Sequence, residues 1–433
     1  MSAKTLFEGG VSGKLFLDRR QFYIMPQRVA ELWPDVTPFT TLVQMLRVEN
    51  VKDTLYKMFE HRSGFVKQEM QINDGTPGTV PNNDTGVSGV AVDNLVGLGS
   101  IGDHVISLQC EVWDSTKTTK KGQVVVTARS GNDLTLKSLK GSTIALADND
   151  YLQVIGNIRG EGTTAPEAFS DELSVIWNST QFFSTPVEIS NKLKNAALRG
   201  YNSELARLRD EKAKEFKMQK ENAFLKGASI IGTNMDGTGT FSEASNRTDA
   251  NGNLLRTTYG FITALEDYGD STTSSDDQNI FTVEEANYSW ADFVLLTEKL
   301  FDKFEGTQRF AFCGRGAMSY WSKLDGANYL AGKSGWTVNI SETRMNKLGF
   351  AIRVMETPHG VLHLVPTKAM RAQYNNYMAI PDHNHLFLAQ YEQDEFKNDI
   401  KKDNDYDGVK DVYRADQGLG MELEEKHALI KIT

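Results

Sequence analysis

The chain has 433 residues, 39% of them apolar and 24% charged, and a formal net charge of -10 at pH 7. That length accommodates about two to four domains or subdomains, and the balance is that of a globular protein rather than a disordered or fibrous one. A surface that grips phosphates needs positive charge, so the negative total argues against specific nucleic-acid binding.

Only Cys110 and Cys313 are present, too few for a disulfide framework or a zinc site, which points to folding in a reducing cytoplasm. The N-terminal stretch MSAKTLFEGGVSGKLFLDRRQFY scatters its charges and lacks the apolar core of a signal peptide, and no apolar run reaches membrane-spanning length. The expectation is a soluble, unexported chain with no membrane partner.

Residues 1–60 begin loosely at Gly9, Gly10 and Gly13 and tighten into QRVAELWPDVTPFTTLVQMLRVENV, where Trp33, Pro34 and Pro38 break regular structure. This reads as an extended arm with short helical pieces. Residues 61–170 then read as an extended loop, with INDGTPGTVPNNDTGVSG as the tip between an outgoing and a returning strand. Within it, about 101–158, HVISLQCEVWD, QVVVTARS, DLTLKSL, STIALA and YLQVIGN alternate with the period of half-buried strands and predict an inserted antiparallel β subdomain.

The spacing predicts a long amphipathic helix over 186–226. Thr185 offers an N-cap hydroxyl, Pro186 suits the first helical position and Glu188 completes a capping box. Leu193, Leu205, Leu208, Phe216 and Phe224 supply the apolar face, Arg207, Arg209 and Glu215 belong to the charged one, and Gly227 is a left-handed stop. Such a rod spans roughly 60 Å, with Gly200 as a point of division. The polar loop TNMDGTGTFSEASNRTDANGN follows and completes a segment spanning 171–285.

Residues 286–378 read as an α/β unit. SWADFVLLTEKLFDKFEG is a helix with Ser289 as cap, Asp292 at the third position and a stripe of Trp290, Phe293, Val294, Leu300, Phe301 and Phe304. RFAFCG, WTVNIS, FAIRVMET and GVLHLVPT are strands around the helix RGAMSYWSKLDG. Residues 379–433 return as the strands HLFLAQYE, KDVYRADQGLGMELE and HALIKIT.

Motifs with chemistry are few. GLGSIG at Gly97, Gly99 and Gly102 has dinucleotide spacing but is followed by a strand, not a helix, and Gly332-Lys333-Ser334 lacks the upstream glycine of a phosphate loop. Asp403, Asp405, Asp407, Gly408 and Asp411 match positions of a calcium loop, but Arg414 stands where its bidentate carboxylate belongs, so a solvated turn between strands is the competing reading. His383 and His385 would share one side of a strand, without a third ligand. No catalytic set and no cofactor site emerges.

An arm, a long β excursion, a spine helix, a polar loop, an α/β unit and a strand return form an order that resembles the major capsid protein of tailed bacteriophages. YLQVIGNIRGEGTTAPEAF, WNSTQFFSTPVEIS with the spine to ENAFLKG, RTTYGFITAL and the near-terminal YRADQGLGMELEEKHALIKIT carry the resemblance. It implies an α+β fold of the Hong-Kong-97 type, with N-arm, extended loop, peripheral domain and axial domain. It also implies pentamers and hexamers of one chain forming an icosahedral virion shell around double-stranded DNA, assembled in the host cytoplasm.

The implied partners are copies of the chain, a separate scaffolding protein, a portal and decoration proteins. Candidate contact residues are Trp33 and Phe39 on the arm, Phe65 and Val66 at the loop base, and Arg207, Arg209 and Glu215 on the spine; internal packing is the competing reading for each. Alternatives are an encapsulin-like compartment and a metal-dependent enzyme using the Asp403 to Asp411 cluster.

Overall fold

The structure, a computed structural model, describes residues 37–61, 69–82, 85–93, 103–162, 173–195, 203–228, 248–253, 255–272, 278–285, 288–302, 306–330, 340–345, 351–400 and 407–433. The chain divides into two units, one combining the residues up to Met58 with Trp177–Thr433 and the other running Phe59–Ile176.

The first unit opens with helix α1 (Pro38–Met45), started by a proline at its first turn, then β1 (Arg47–Asn50), and exits through β2 (Leu55–Glu60). The N-terminal segment thus ends in a packed helix whose Phe39, Leu42 and Val43 are buried. Its earlier residues, Trp33 included, lie outside the described residues.

The second unit holds β3 (Glu69–Gln71), β4 (Thr79–Val80), β5 (Val87–Ala91), β6 (Leu108–Trp113), β7 (Lys120–Ser130), β8 (Asp133–Ser138), β9 (Ile144–Ala145) and β10 (Tyr151–Asn157). Six of them form one sheet in the order β3-β10-β6-β7-β8-β5. A bridge between Ile72 and Val92 joins its two edges, with the Asn73 amide donating to the Ala91 carbonyl at 3.0 Å and the Asp93 amide to Gln71 at 2.8 Å. The outgoing and returning strands therefore do not form a separate extended loop. They complete the inserted sheet and close it into a ring, which leaves no long edge open.

Inside that ring Met70, Ile72, Val90, Cys110, Val112, Val124, Leu134, Leu136 and Leu152 are buried, and the small β4–β9 pair adds Val80 and Ile144. The alternation read for Cys110 and Val112 holds. GLGSIG and the loop-base residues Phe65 and Val66 lie outside the described residues.

The chain re-enters the first unit through β11 (Ser174–Ser179) and β12 (Gln181–Ser190), then forms α2 (Asn191–Lys194) and α3 (Glu204–Lys226). Here the helix expected from residue 186 is corrected. Residues 181–190 form a strand in which Phe183, Thr185, Val187 and Ile189 are buried and their neighbours are not. The β-branched Thr185, Val187 and Ile189 suit that pleat, and Pro186 is tolerated because β12 is an edge strand.

The spine starts instead where Ser203 Oγ accepts the Ala206 amide at 3.4 Å, and its 23 residues span roughly 34 Å. Gly200 lies outside the described residues. Gly227 ends the helix in extended rather than left-handed geometry, φ -61°. Its lack of a side chain serves close packing, since a Cβ there would stand 2.6 Å from the Ala223 carbonyl oxygen.

After α4 (Phe261–Tyr268) come β13 (Ile280–Val283), α5 (Trp290–Asp302), β14 (Gln308–Cys313), α6 (Arg315–Leu330), β15 (Ile340–Met345), β16 (Ala351–Glu356), β17 (Val361–Pro366), β18 (Tyr377–Ile380), β19 (Leu386–Lys397), β20 (Gly408–Met421) and β21 (Ala428–Ile432). The capping box of α5 is as read: Asp292 Oδ2 accepts the Ser289 amide at 2.9 Å and Ser289 Oγ the Asp292 amide at 3.3 Å. Its stripe buries Phe293, Leu296, Leu300 and Phe301.

These strands form two sheets. One is β13-β21-β18-β14-β17-β16-β15, backed by α5 and α6 around Phe293, Trp321, Leu364 and Ile430. The other is β1-β19-β20-β12, packed on α3.

Candidate subunit interface

One face of the four-stranded sheet is covered by the spine. Phe183 meets Phe216 and Phe224 edge-on at ring distances of 6.5 and 6.1 Å, and Val187, Ile189 and Leu205 fill in beside them. Arg209 donates to the fully buried Asp411 at 2.8 and 2.7 Å, and its guanidinium lies 5.2 Å from the Phe396 ring centre. Arg207 bridges Glu204 and Glu211 on its own helix at 2.5 and 2.8 Å, and Glu215 takes Lys212 at 2.6 Å.

The spine charges offered as contacts to neighbours are thus engaged within the chain. Phe39 is corrected outright: it is 0% exposed, edge-on to Phe312 at 5.2 Å and tilted on Phe261 at 6.0 Å, because α1 folds onto the body instead of reaching away.

The other face of the sheet carries an exposed aromatic that the sequence reading does not single out. On β12 the even positions point outward, and Phe182 remains 54% exposed, paired in register with Asp416 of β20, which in turn pairs with Glu392 of β19. The Arg414 guanidinium lies 5.6 Å from the Phe182 ring centre and binds Glu392 at 2.5 Å, while Lys410 and Glu188 approach to 3.6 Å further along. An exposed aromatic beside an arginine on a rigid strand, with Tyr391 46% exposed nearby in sequence, has the composition of an interface anchor. The sequence signal is the alternation of QFFSTPVEIS, which sends Phe183 inward and Phe182 outward.

The described carboxylates of the calcium-like segment have other partners. Asp403 and Asp405 lie outside the described residues, Asp411 is spent on Arg209 and on the Asp399 amide at 2.8 Å, and Asp407 accepts Asn191 Nδ2 at 2.6 Å. Gly408 already begins β20, so the last positions of the proposed loop are strand. His383 and His385 sit in a turn before β19 rather than on a strand face, with His385 Nδ1 3.0 Å from Asp382 Oδ2.

Gly332-Lys333-Ser334 lies outside the described residues. Among the described residues no group of three or more His, Cys, Asp or Glu side chains is placed to hold a metal ion, and no helix is long and apolar enough to cross a membrane. Both thiols are buried, and burial pushes each up to about 12.

A family model described as SU10 major capsid protein matches residues 25–433. The chain belongs to that major capsid protein family. It is accordingly a capsid shell protein, and its place is the virion capsid. No curated protein matches the sequence.

Solved structures similar to this capsid chain include Microbacterium phage Oxtober96, at 9% identity and TM-score 0.45 over 98% of this chain and 100% of that one. The capsid of cyanophage P-SCSP1u is 8% identical at TM-score 0.43, over 99% and 97%. The SrpI encapsulin of Synechococcus elongatus is 9% identical at TM-score 0.42, over 98% and 95%.

Proposed function

We propose that the chain builds an icosahedral shell of the Hong-Kong-97 type, as pentamers and hexamers of itself, around the double-stranded DNA of a tailed bacteriophage. The match of the major capsid protein family to residues 25–433 carries this reading. In it the seven-stranded sheet with α5 and α6 is the axial domain, and the four-stranded sheet with α3 is the peripheral domain. The closed β unit is the extended-loop region enlarged by its insert. The role is mechanical and not catalytic, and assembly takes place in the host cytoplasm with a separate scaffolding protein, a portal and decoration proteins.

Contacts between copies use Phe182 with Arg414 and Glu392 on the outward sheet face, together with Trp33, Phe65 and Val66. Obligate assemblies bury about 2,000 Å² or more per contact, which requires several such patches on each copy. Expression of the full chain with its scaffolding protein, followed by electron microscopy, tests the reading: closed shells or capsomers support it, and a discrete small oligomer overturns it. Native particles that enclose protein cargo and no DNA would instead indicate an encapsulin-like compartment.

A further inference from the structure

The chain passes between the two sheets of the first unit twice near its C-terminus: residues 381–385 lead from β18 into β19, and residues 422–427 lead from β20 into β21. One buried polar cluster joins both crossings. His427, 0% exposed, accepts the Asp382 amide on Nδ1 at 2.9 Å, and its Nε2 lies 3.1 Å from the Glu422 carbonyl oxygen. An amide nitrogen only donates and a carbonyl oxygen only accepts, so the site admits the neutral ring protonated at Nε2.

Asp382, also 0% exposed, receives the Arg309 guanidinium from β14, the Asn384 amide at 3.0 Å and His385 Nδ1 at 3.0 Å, and the Glu422 amide closes onto the His385 carbonyl at 3.0 Å. A histidine in the second crossing thereby holds an aspartate turn in the first.

We propose that His427 is an acid-operated latch on the junction between the two sheets, closed when the ring is neutral and released when it is protonated. The imidazolium carries a donor on both nitrogens, so its Nδ1 hydrogen would face the Asp382 amide hydrogen and that tie would be lost. The charges around it are divided. The Asp382 carboxylate favours the cation, while Arg309 and His385 oppose it. His383 stands 3.5 Å from Arg309 Nη1. The Glu422 carboxylate is turned away to Arg47 at 2.8 Å, and from α4 the Phe261 ring stands edge-on at 5.4 Å.

Burial outweighs the attraction of Asp382 and pushes the ring down to about 4. The latch follows from the cluster alone; its use, freeing the two sheets to change their mutual angle in an acidified shell, rests on the proposed shell function.

Hydrogen exchange at the histidine C2 position, read by mass spectrometry on the unmodified full chain, gives the titration of His427 directly. A midpoint below about 5.5 supports the latch and one above it overturns it.

Amide exchange, corrected for intrinsic rate, tests the release. Protection of peptides covering 381–385 and 422–428 is expected to fall at least about tenfold between about pH 7 and pH 4.5 and to stay below that of α3 throughout. In His427→Asn, whose Oδ1 keeps an acceptor but does not titrate, the response is expected to vanish; in His385→Asn it is expected to persist. Equal loss in His427→Asn, an α3 that opens as readily as the two crossings, or disappearance in His385→Asn overturns the proposal. Should His427→Asn fail to fold, the C2 titration of the unmodified chain decides.

Discussion

Glu221, on the spine helix, closes the first turn of a helix 181 residues away: its Oε2 accepts both the backbone amide of Thr40 at 2.7 Å and its hydroxyl at 2.8 Å. Oε1 takes the Phe39 amide at 3.2 Å and the Thr367 hydroxyl at 3.1 Å. Thr37, the residue before α1, makes no side-chain cap, so the carboxylate of a distant helix supplies what a local cap ordinarily would. Burial raises the Glu221 carboxyl, against the pull of these four donors.

Replacing Glu221 by alanine strands two buried amides and two hydroxyls, and is expected to cost about 2–4 kcal/mol, read as a lower denaturant midpoint. Glu221→Gln keeps one acceptor oxygen and sheds a charge that burial disfavours, so its loss should be clearly smaller. Equal losses in the two variants would show that the carboxylate charge, not its acceptor oxygens, holds α1.

Asp411→Asn should weaken the packing of the spine on its sheet. It leaves the Arg209 guanidinium without its carboxylate partner at a site where Asp411 is 0% exposed. Breaking a buried pair costs about 3–5 kcal/mol, and the partial exposure of Arg209 brings the expectation to about 2. Unfolding in urea with added salt checks it: a salt-insensitive loss supports a desolvated pair.

Gly260→Ala is expected to abolish correct folding of the first unit. The Gly260 amide meets the Gly227 carbonyl at 2.6 Å, where α4 begins against the end of α3, and a Cβ on Gly260 would stand 2.6 Å from the Lys226 nitrogen and 2.8 Å from the Leu225 carbonyl carbon. Only backbone is available to move. Soluble yield and circular dichroism of the variant check this, with a normal yield and spectrum as the contrary result.

Acid should destabilise the chain through His427. The folded site holds the ring near 4 against an ordinary 6.5, so its contribution is whole above about 6.5 and is lost progressively as pH falls toward 4. Between about pH 7 and pH 5 the loss amounts to about 2 kcal/mol, measurable as a shift in denaturant midpoint that His427→Asn should reduce.

Phe182→Ala should leave the melting of the isolated chain nearly unchanged, because the ring is 54% exposed, yet reduce assembly into shells. An interface anchor costs about 2 kcal/mol or more when truncated, so the concentration needed for assembly should rise by about thirtyfold or more. Light scattering against protein concentration reads this, and an unchanged threshold would remove the outward face from the interface.

The sequence by itself determined the elements whose pattern is local. Period-two alternation placed β6, β7, β8 and β10, the Ser289 and Asp292 pair placed the start of α5, and the order of elements pointed to a capsid chain. Where two local rules competed, it misread the outcome. Thr185, Pro186 and Glu188 satisfy a helix start as a string of residues, yet ten residues in register with β20 outweigh that cap, and only the folded chain brings β20 alongside.

The same holds for the ties that define the body. Glu221 to Thr40, Arg209 to Asp411 and His427 to Asp382 join residues 181, 202 and 45 apart, and nothing in a window of sequence tells a carboxylate which distant donor it will meet. Burial then decides what each pair does, because the loss of water both strengthens a satisfied hydrogen bond and penalises a broken one.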